Sequence, residues 1–323
     1  MKAVMFVPGA AGASVEVRDV PVPVPAAGEV LVKVHAASLN RGELGVKRGL
    51  TAGAPQPTGI EFTGSVAALG EGCTRVAVGD RVMGHWRAGQ AEYVAVDERL
   101  TVPVPARLTW VEAAAWLNVF TTAHDAIVTN AQLMRGESIL INAASSGIGV
   151  AAMQIARLLG ARPVIGSSRS QAKLDKLCQY GMQTGVLAGP GFGAAVRAAT
   201  VDKGVDVLID SVGGGVLKDN LAAMAVLGRM VSVGRLGANT GEMDLDLLAL
   251  KRVKLIGVTF RTRSKEERIA CIEACRRDLW SALDEGRLLP VVDRSFAMAD
   301  VKAAHDYMES NEHIGKIVLE MPA

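Results

Sequence analysis

The chain has 323 residues, half of them apolar, and a net charge of +2 from 35 basic and 33 acidic side chains. That length exceeds one small domain and points to two. So even a balance, with only four Trp, three Tyr and six Phe, excludes a dedicated nucleic-acid stacking surface and an anionic-membrane patch.

Read in chain order, residues 1–120 are mostly β. "EVLVKVHAASLN" alternates as a half-buried strand. "FTGSVAALG", "GDRVMGHW" and "AEYVAVDE" are short strands between Gly-rich turns. "VPVPVPAAGE" cannot be a central strand, because proline lacks the donor N–H. From residue 111, "VEAAAWLNVFTTAHDAIV" reads as helix. Residues 137–260 change character. "ESILINA", "ARPVIGSS", "GVDVLIDSVGG", "GRMVSVGR" and "VKLIGVTF" are continuous apolar strands, with "GVAAMQIARLLG" and "SQAKLDKLCQYG" as helices between them. Strands apolar on both faces and alternating with helices predict a parallel sheet covered on both sides, a doubly wound α/β fold. "KEERIACIEACRRDLWSALDEG" is then a long amphipathic helix, and "LLPVVDRSF…HIGKIVLEMP" returns to strand and to the first domain.

Neither uncharged stretch reads as a targeting or membrane segment. Pro8 and Gly9 interrupt the first, and Asn142, Ser145, Ser146, Gly147 and Gly149 interrupt Ser138–Ala156. The cysteines, Cys73, Cys178, Cys271 and Cys275, form no CxxC pair and no Cys/His cluster. They are expected to be buried or half-buried thiols in a reducing, cytoplasmic protein.

The chemistry is concentrated in "INAASSGIGVAAMQIARLLGARPVIGSSRS", residues 141–170. A strand ends, a turn of small residues follows, and a helix opens. Backbone N–H groups at a helix N-terminus, with residues small enough for close approach, are what a pyrophosphate needs. A second strand ends about 20 residues later, which is the spacing of a dinucleotide fold. An NAD site usually carries Asp or Glu at that point. Here stand Ser167, Ser168, Arg169 and Lys173, with no acid before Asp175. Hydroxyls and cations suit a 2′-phosphate, so the expected cofactor is NADPH. A short-chain dehydrogenase is the competing reading of "SSGIG", but none of Tyr93, Tyr180 and Tyr307 has a Lys four residues on.

Several further pieces occur in order: "EVLVKVHAASLNRGEL", "GIEFTGSVAALGEGC", "VGDRVMG", "GQAEYVAV", "AAAWLNVFTTAHDAI", "AASSGIGVAAMQIARLLGA", "VDVLIDSVGG", "GRMVSVG" and "HIGKIVL". Together they resemble the zinc-independent quinone oxidoreductases of the medium-chain dehydrogenase/reductase superfamily, over nearly the whole chain. The resemblance implies a GroES-like catalytic domain at 1–122, a Rossmann NADPH-binding domain at 123–263, a return to the catalytic domain at 264–323, and a homodimer. Zinc-using relatives have Cys where Asn40 stands and His in place of Ile60; Glu61 alone makes no site. The five histidines, at 35, 85, 124, 305 and 313, are expected to be structural or on the surface.

The resemblance also assigns residues. Asn40 is placed beside the nicotinamide ribose and the substrate, as the one catalytic candidate. Thr122 is placed facing the cofactor, and Ser146, Gly147 and Ile148 on the pyrophosphate. Arg169 and Lys173 go to the 2′-phosphate, where the residue reading above also puts Ser167, and Val233, Gly234 and Arg235 border the cofactor. Phe260 and Arg261 end the last strand near the nicotinamide, and Lys316 reaches the cofactor from the returning segment. The last Rossmann strand, "VKLIGVTF", is an apolar edge that a C2 partner would cover.

Without a Lewis acid, an acceptor that is already electrophilic is expected: a quinone, or an α,β-unsaturated carbonyl. Some enoyl reductases of the superfamily carry a Tyr soon after the Asn segment; "KRGLTAGAPQPTG" has none. That favours a quinone, whose reduced oxygen can take its proton from water, over an enone or enoyl thioester. Thr51 is the side chain otherwise available for proton delivery. The alternative of another class is an NADPH-binding sensor or structural protein with little turnover.

Overall fold

The computed structural model describes residues 1–322. It divides into two units, residues 1–119 with 268–323, and residues 120–267.

In the first unit the strand Glu29–Ser38 is the common partner. Its alternation buries Val30, Val32, Val34 and Ala36. Along one edge it pairs antiparallel with Phe62–Leu69, and along the other with Tyr93–Asp97 and then Lys316–Glu320. The seven-stranded sheet is completed by Arg81–Gly84, Thr101–Pro103 and Val292–Ala297. A three-stranded sheet holds Ser14–Asp19, Lys2–Val7 and Gln56–Pro57. Residues 20–28, the proline-rich part of "VPVPVPAAGE", form no strand.

The last two strands of the chain belong to this unit's sheet. Val292–Ala297 and Lys316–Glu320 run parallel, which demands a crossover. It is the helix Val301–Ser310, unannounced in the sequence reading, whose Val301, Ala304, His305 and Met308 are buried at helical spacing. The long helix Lys265–Asp284 forms as expected, with Ile272, Cys275, Leu279, Ala282 and Leu283 on its buried face. Cys178 departs from the expected burial: it lies on the surface.

"VEAAAWLNVFTTAHDAIV" is a broken helix. Trp110–Ala114 starts on a capping box, in which the Thr109 hydroxyl accepts from Glu112 N–H and the Glu112 carboxylate accepts from Thr109 N–H. Leu117–His124 follows, ending in a π-turn at Asp125–Asn130.

The second unit is a six-stranded parallel sheet. Its order is Thr184–Leu187, Val164–Ser168, Ile139–Ile141, Val205–Asp210, Met224–Ser232, Lys254–Gly257. Counted along the chain this is 3-2-1-4-5-6, the doubly wound nucleotide-binding order. Thr184–Leu187 was not foreseen. It is an edge strand with only Val186 buried, so it lacks the apolar run that marked the others. Leu140, Ile165, Val205, Leu208 and Met230 meet in the core beneath the helices.

The last strand is shorter than "VKLIGVTF" suggested. It stops at Gly257, and Val258 is buried rather than exposed on the edge. Phe260 and Arg261 therefore lie in the bend after the strand and not at its end. Among the described residues no helix is long and apolar enough to cross a membrane.

Candidate functional site

In the second unit the turn after Ile139–Ile141 has the geometry a phosphate needs. The helix Gly147–Leu158 begins there, two residues before the "GVAAMQIARLLG" of the sequence reading. Ser146 is its N-cap, its hydroxyl accepting from Gly149 N–H at 3.1 Å. Ser146, Gly147 and Ile148 are half-buried at this helix start. A Cβ on Gly149 would lie 2.5 Å from Ala143 O, so only glycine lets the helix sit this close to the turn. Ala143 itself is held at φ +52°, in the left-handed region.

Behind the turn lies a buried polar network. The Asn142 amide donates to Asn220 Oδ1 at 2.6 Å and to Asp210 Oδ1 at 3.3 Å. Asp210 ends the fourth strand and accepts from the backbone N–H groups of Val212 and Gly213. Burial pushes its carboxyl up, against the pull of those hydrogen bonds. Asp210 thereby pins the glycine-rich loop at the strand's carboxyl end, where ligands of this fold bind.

Of the residues expected at the second strand's end, Arg169 is exposed and Lys173 half-buried in the first turn of the helix that Ser170 caps. Ser167 must be corrected. Its side chain alternates to the inner face, is 2% exposed, and donates to Asn142 Oδ1 at 2.6 Å. Val233 and Gly234 follow the fifth strand, half-buried, and Arg235 is exposed. Phe260 lies under the Arg263 guanidinium at 4.8 Å, and Arg263 is paired with the buried Asp125 at 2.7 Å. Thr122 is buried in the helix Leu117–His124.

In the first unit Asn40 precedes the helix Arg41–Gly49, but its side chain makes no cap. It joins a buried ionic cluster instead. Lys316 Nζ donates to Glu61 Oε1 at 2.7 Å, Leu39 O at 2.7 Å and Asn40 Oδ1 at 2.8 Å. Glu61 Oε1 also accepts from the Ser38 hydroxyl and from Asn40 Nδ2 at 3.0 Å, and its Oε2 accepts from Asn118 N–H at 3.0 Å. Asn118 Nδ2 donates to Asn40 Oδ1 at 2.7 Å. Lys316 was expected to reach the cofactor. All three of its ammonium protons are instead used inside this unit. Beside Asn118 lies His85, whose imidazole burial holds down to about 4. Thr51 is exposed in the loop beyond the helix.

Two family models match the two units. Residues 26–106 match the alcohol dehydrogenase GroES-like domain, and residues 147–274 the zinc-binding dehydrogenase domain. The chain belongs to the medium-chain dehydrogenase/reductase family, in its quinone oxidoreductase-like part. Its second unit has the strand order of a nucleotide-binding fold. The quinone oxidoreductase of Rattus norvegicus is 29% identical over 308 residues, covering 93% of this chain and 92% of the relative. The polyketide synthase GfsB of Streptomyces halstedii is 31% identical over 297 residues, 91% of this chain, yet the chain spans only 5% of it. Among solved structures, mycobacterial Rv1454c complexed with NADPH superposes with TM-score 0.90 at 26% identity, covering 99% of this chain and 100% of that one. The CurK enoyl reductase does so with TM-score 0.89 at 26% identity, covering 99% of each.

A catalytic zinc does not fit the residues present. Glu61, the one carboxylate at that position, already has its oxygens filled by an ammonium, an amide, a hydroxyl and a backbone N–H. Among the described residues no three His, Cys, Asp or Glu side chains group so as to hold a metal ion.

The cluster extends to a second buried carboxyl. Glu43 Oε2 accepts from Gln90 Nε2 at 3.1 Å and lies 3.9 Å from His305 Nε2. Burial raises Glu43 to about 7, with Gln90 and Lys316 opposing and Glu61 adding to the rise; burial lowers His305 to about 4. Near neutral pH the two do not form an ion pair, because the histidine is uncharged. The folded protein holds a proton on Glu43 that an unfolded chain has released above its ordinary 4.5. Stability from this group is therefore lost as pH rises from 4.5 through 7. Glu43→Gln imitates the protonated form. It should leave the unfolding free energy near wild type at pH 5 and raise it at pH 8 by up to roughly 3 kcal/mol, seen as a higher melting temperature at pH 8 only. A variant equally stabilised at both pH values would contradict the assignment.

Proposed function

We propose that the protein is an NADPH-dependent reductase of quinones or similarly electrophilic carbonyl compounds, working without zinc. The observation that carries the reading is the first unit's cluster, where an internal ammonium occupies the carboxylate a metal would need. Bound NADPH would supply the hydride. Ser146, Gly147 and Ile148 would hold its pyrophosphate at the helix N-terminus, and Arg169 and Lys173 its 2′-phosphate. Val233, Gly234, Arg235, Phe260 and Thr122 are the proposed border of the same cofactor. Asn40 would face the acceptor. An acceptor such as a quinone needs no Lewis acid, and its reduced oxygen takes a proton from water.

A second reading, reduction of α,β-unsaturated carbonyls or thioesters, draws support from the likeness to the CurK enoyl reductase. Against it stands the loop after Asn40, which offers Thr51 and no tyrosine as a proton donor to carbon. We also propose a homodimer that pairs Lys254–Gly257 with its symmetry mate. Leu255 on that open edge is 47% exposed, and Leu245 and Leu250 on the preceding helix are 69% exposed.

Three outcomes follow. A panel of quinones and enones with NADPH should turn over quinones fastest; a clear enone preference with a single product enantiomer would establish the second reading, and tight NADPH binding without turnover a sensor. Arg169→Ala should weaken NADPH roughly 10- to 150-fold, the worth of one charge-assisted contact, and barely change NADH. Equal loss of both cofactors would refute the 2′-phosphate assignment. Leu255→Glu should give monomers or aggregates in sedimentation, whereas a monomeric wild type at micromolar concentration would refute the dimer.

A further inference from the structure

We propose that Asn40 donates a hydrogen bond to the carbonyl oxygen of the acceptor, and that Lys316, Asn118 and Glu61 are positioning residues that turn its amide nitrogen to that task. The proposal rests on the reading that Asn40 faces the reducible substrate.

The two ends of a carboxamide are ordinarily hard to tell apart. Here the neighbours decide. An ammonium has no acceptor, and a carboxylate has no donor. Lys316 Nζ lies 2.8 Å from one end of Asn40, and Glu61 Oε1 lies 3.0 Å from the other. The end at Lys316 is therefore oxygen and the end at Glu61 nitrogen. The oxygen is saturated, since it also accepts from Asn118 Nδ2 at 2.7 Å. The nitrogen is not. One proton goes to Glu61, and the other meets Ser38 O at 3.4 Å, the weak limit of a hydrogen bond. Asn40 is half-buried, so the group it has left to offer is an N–H. A cation on the amide oxygen draws electron density from the nitrogen and strengthens that donor.

A preorganised donor is worth most where negative charge develops. Bound NADPH would supply one hydride, that is one proton carrying two electrons, and would itself be left as NADP⁺; the acceptor is reduced by those two electrons. The carbonyl oxygen becomes anionic, accepts the Asn40 hydrogen bond, and takes its proton from water. Asn40 keeps both of its own protons. Lys316 acts through Asn40 and touches no reacting atom.

The test removes both buried charges together, in Lys316→Met with Glu61→Gln, because losing one alone strands the other. The double variant should melt within a few degrees of wild type and bind NADPH within about twofold, with KM for a quinone near wild type. Its kcat should fall at least about tenfold, a part of what losing an oxyanion donor costs. Unchanged kcat would overturn the proposal and leave the pair as scaffold only. A second measurement uses the wild type, with 15N-labelled asparagine. One Asn40 amide proton should exchange slowly, held by Glu61, and the other faster, becoming protected when a non-reducible quinone analogue binds with NADP⁺. Two slow protons indifferent to the analogue would overturn the proposal whether or not the double variant folds. Failure of the functional reading shows separately, as a wild type that oxidises NADPH with no quinone or enone.

Discussion

A lysine ammonium buried against a carboxylate is the constraint on which the first unit depends. Removing each charge from water costs several kcal/mol, and their attraction offsets this only if every other donor and acceptor is met. Lys316 is 5% exposed and Glu61 1%, and both are fully partnered. The partners come from far apart in the chain: Ser38, Leu39 and Asn40 after the central strand, Glu61 before the next, Asn118 in a helix, and Lys316 opening the last strand. Because Lys316 must reach Glu61, the C-terminal segment has to return to the sheet, and Ile317, Val318 and Leu319 bury themselves there as it does. The pair is thus a statement about topology as much as about charge. Asn40 inherits its orientation from it.

The second unit solves a different problem by different means. A dinucleotide pyrophosphate asks for backbone donors and close approach, so the critical features are a helix start, a capping serine and Gly149. Polar side chains in this unit support the loops rather than project from them. Asn142, Ser167, Asn220 and Asp210 are all buried behind the strand ends. Charge lies nearer the surface, with Arg169 exposed and Lys173 half-buried. The two units therefore differ in where they keep charge: one holds the Lys316–Glu61 pair inside, the other carries Arg169 at the surface.

The parallel strands were legible because buried β runs are apolar throughout, and the phosphate turn because its spacing between strand and helix is demanding. Thr184–Leu187 escaped because an edge strand needs only one buried residue. The Val301–Ser310 helix escaped because its buried face is a short stripe, Val301, Ala304, His305 and Met308, whose apolar pattern a histidine interrupts. Side-chain direction was the main loss. Ser167 was assigned to the ligand by its position at a strand end, yet the two-residue period of a strand turns it inward. Lys316 was sent toward the cofactor because nothing in "HIGKIVL" shows which carboxylate it will meet 255 residues away. Glu61 was set aside as one ligand too few for a metal. A lone carboxylate amid apolar strands was in fact the signal, since it needs a cation from somewhere.

If an internal ammonium holds the place of a metal, turnover must be indifferent to metal. The decisive measurement is zinc content and NADPH-dependent quinone reduction on the same protein, before and after prolonged chelation. Zinc that is substoichiometric throughout, with the rate unchanged, is the predicted result. One zinc per chain, lost in step with activity and restoring it on return, would contradict the account.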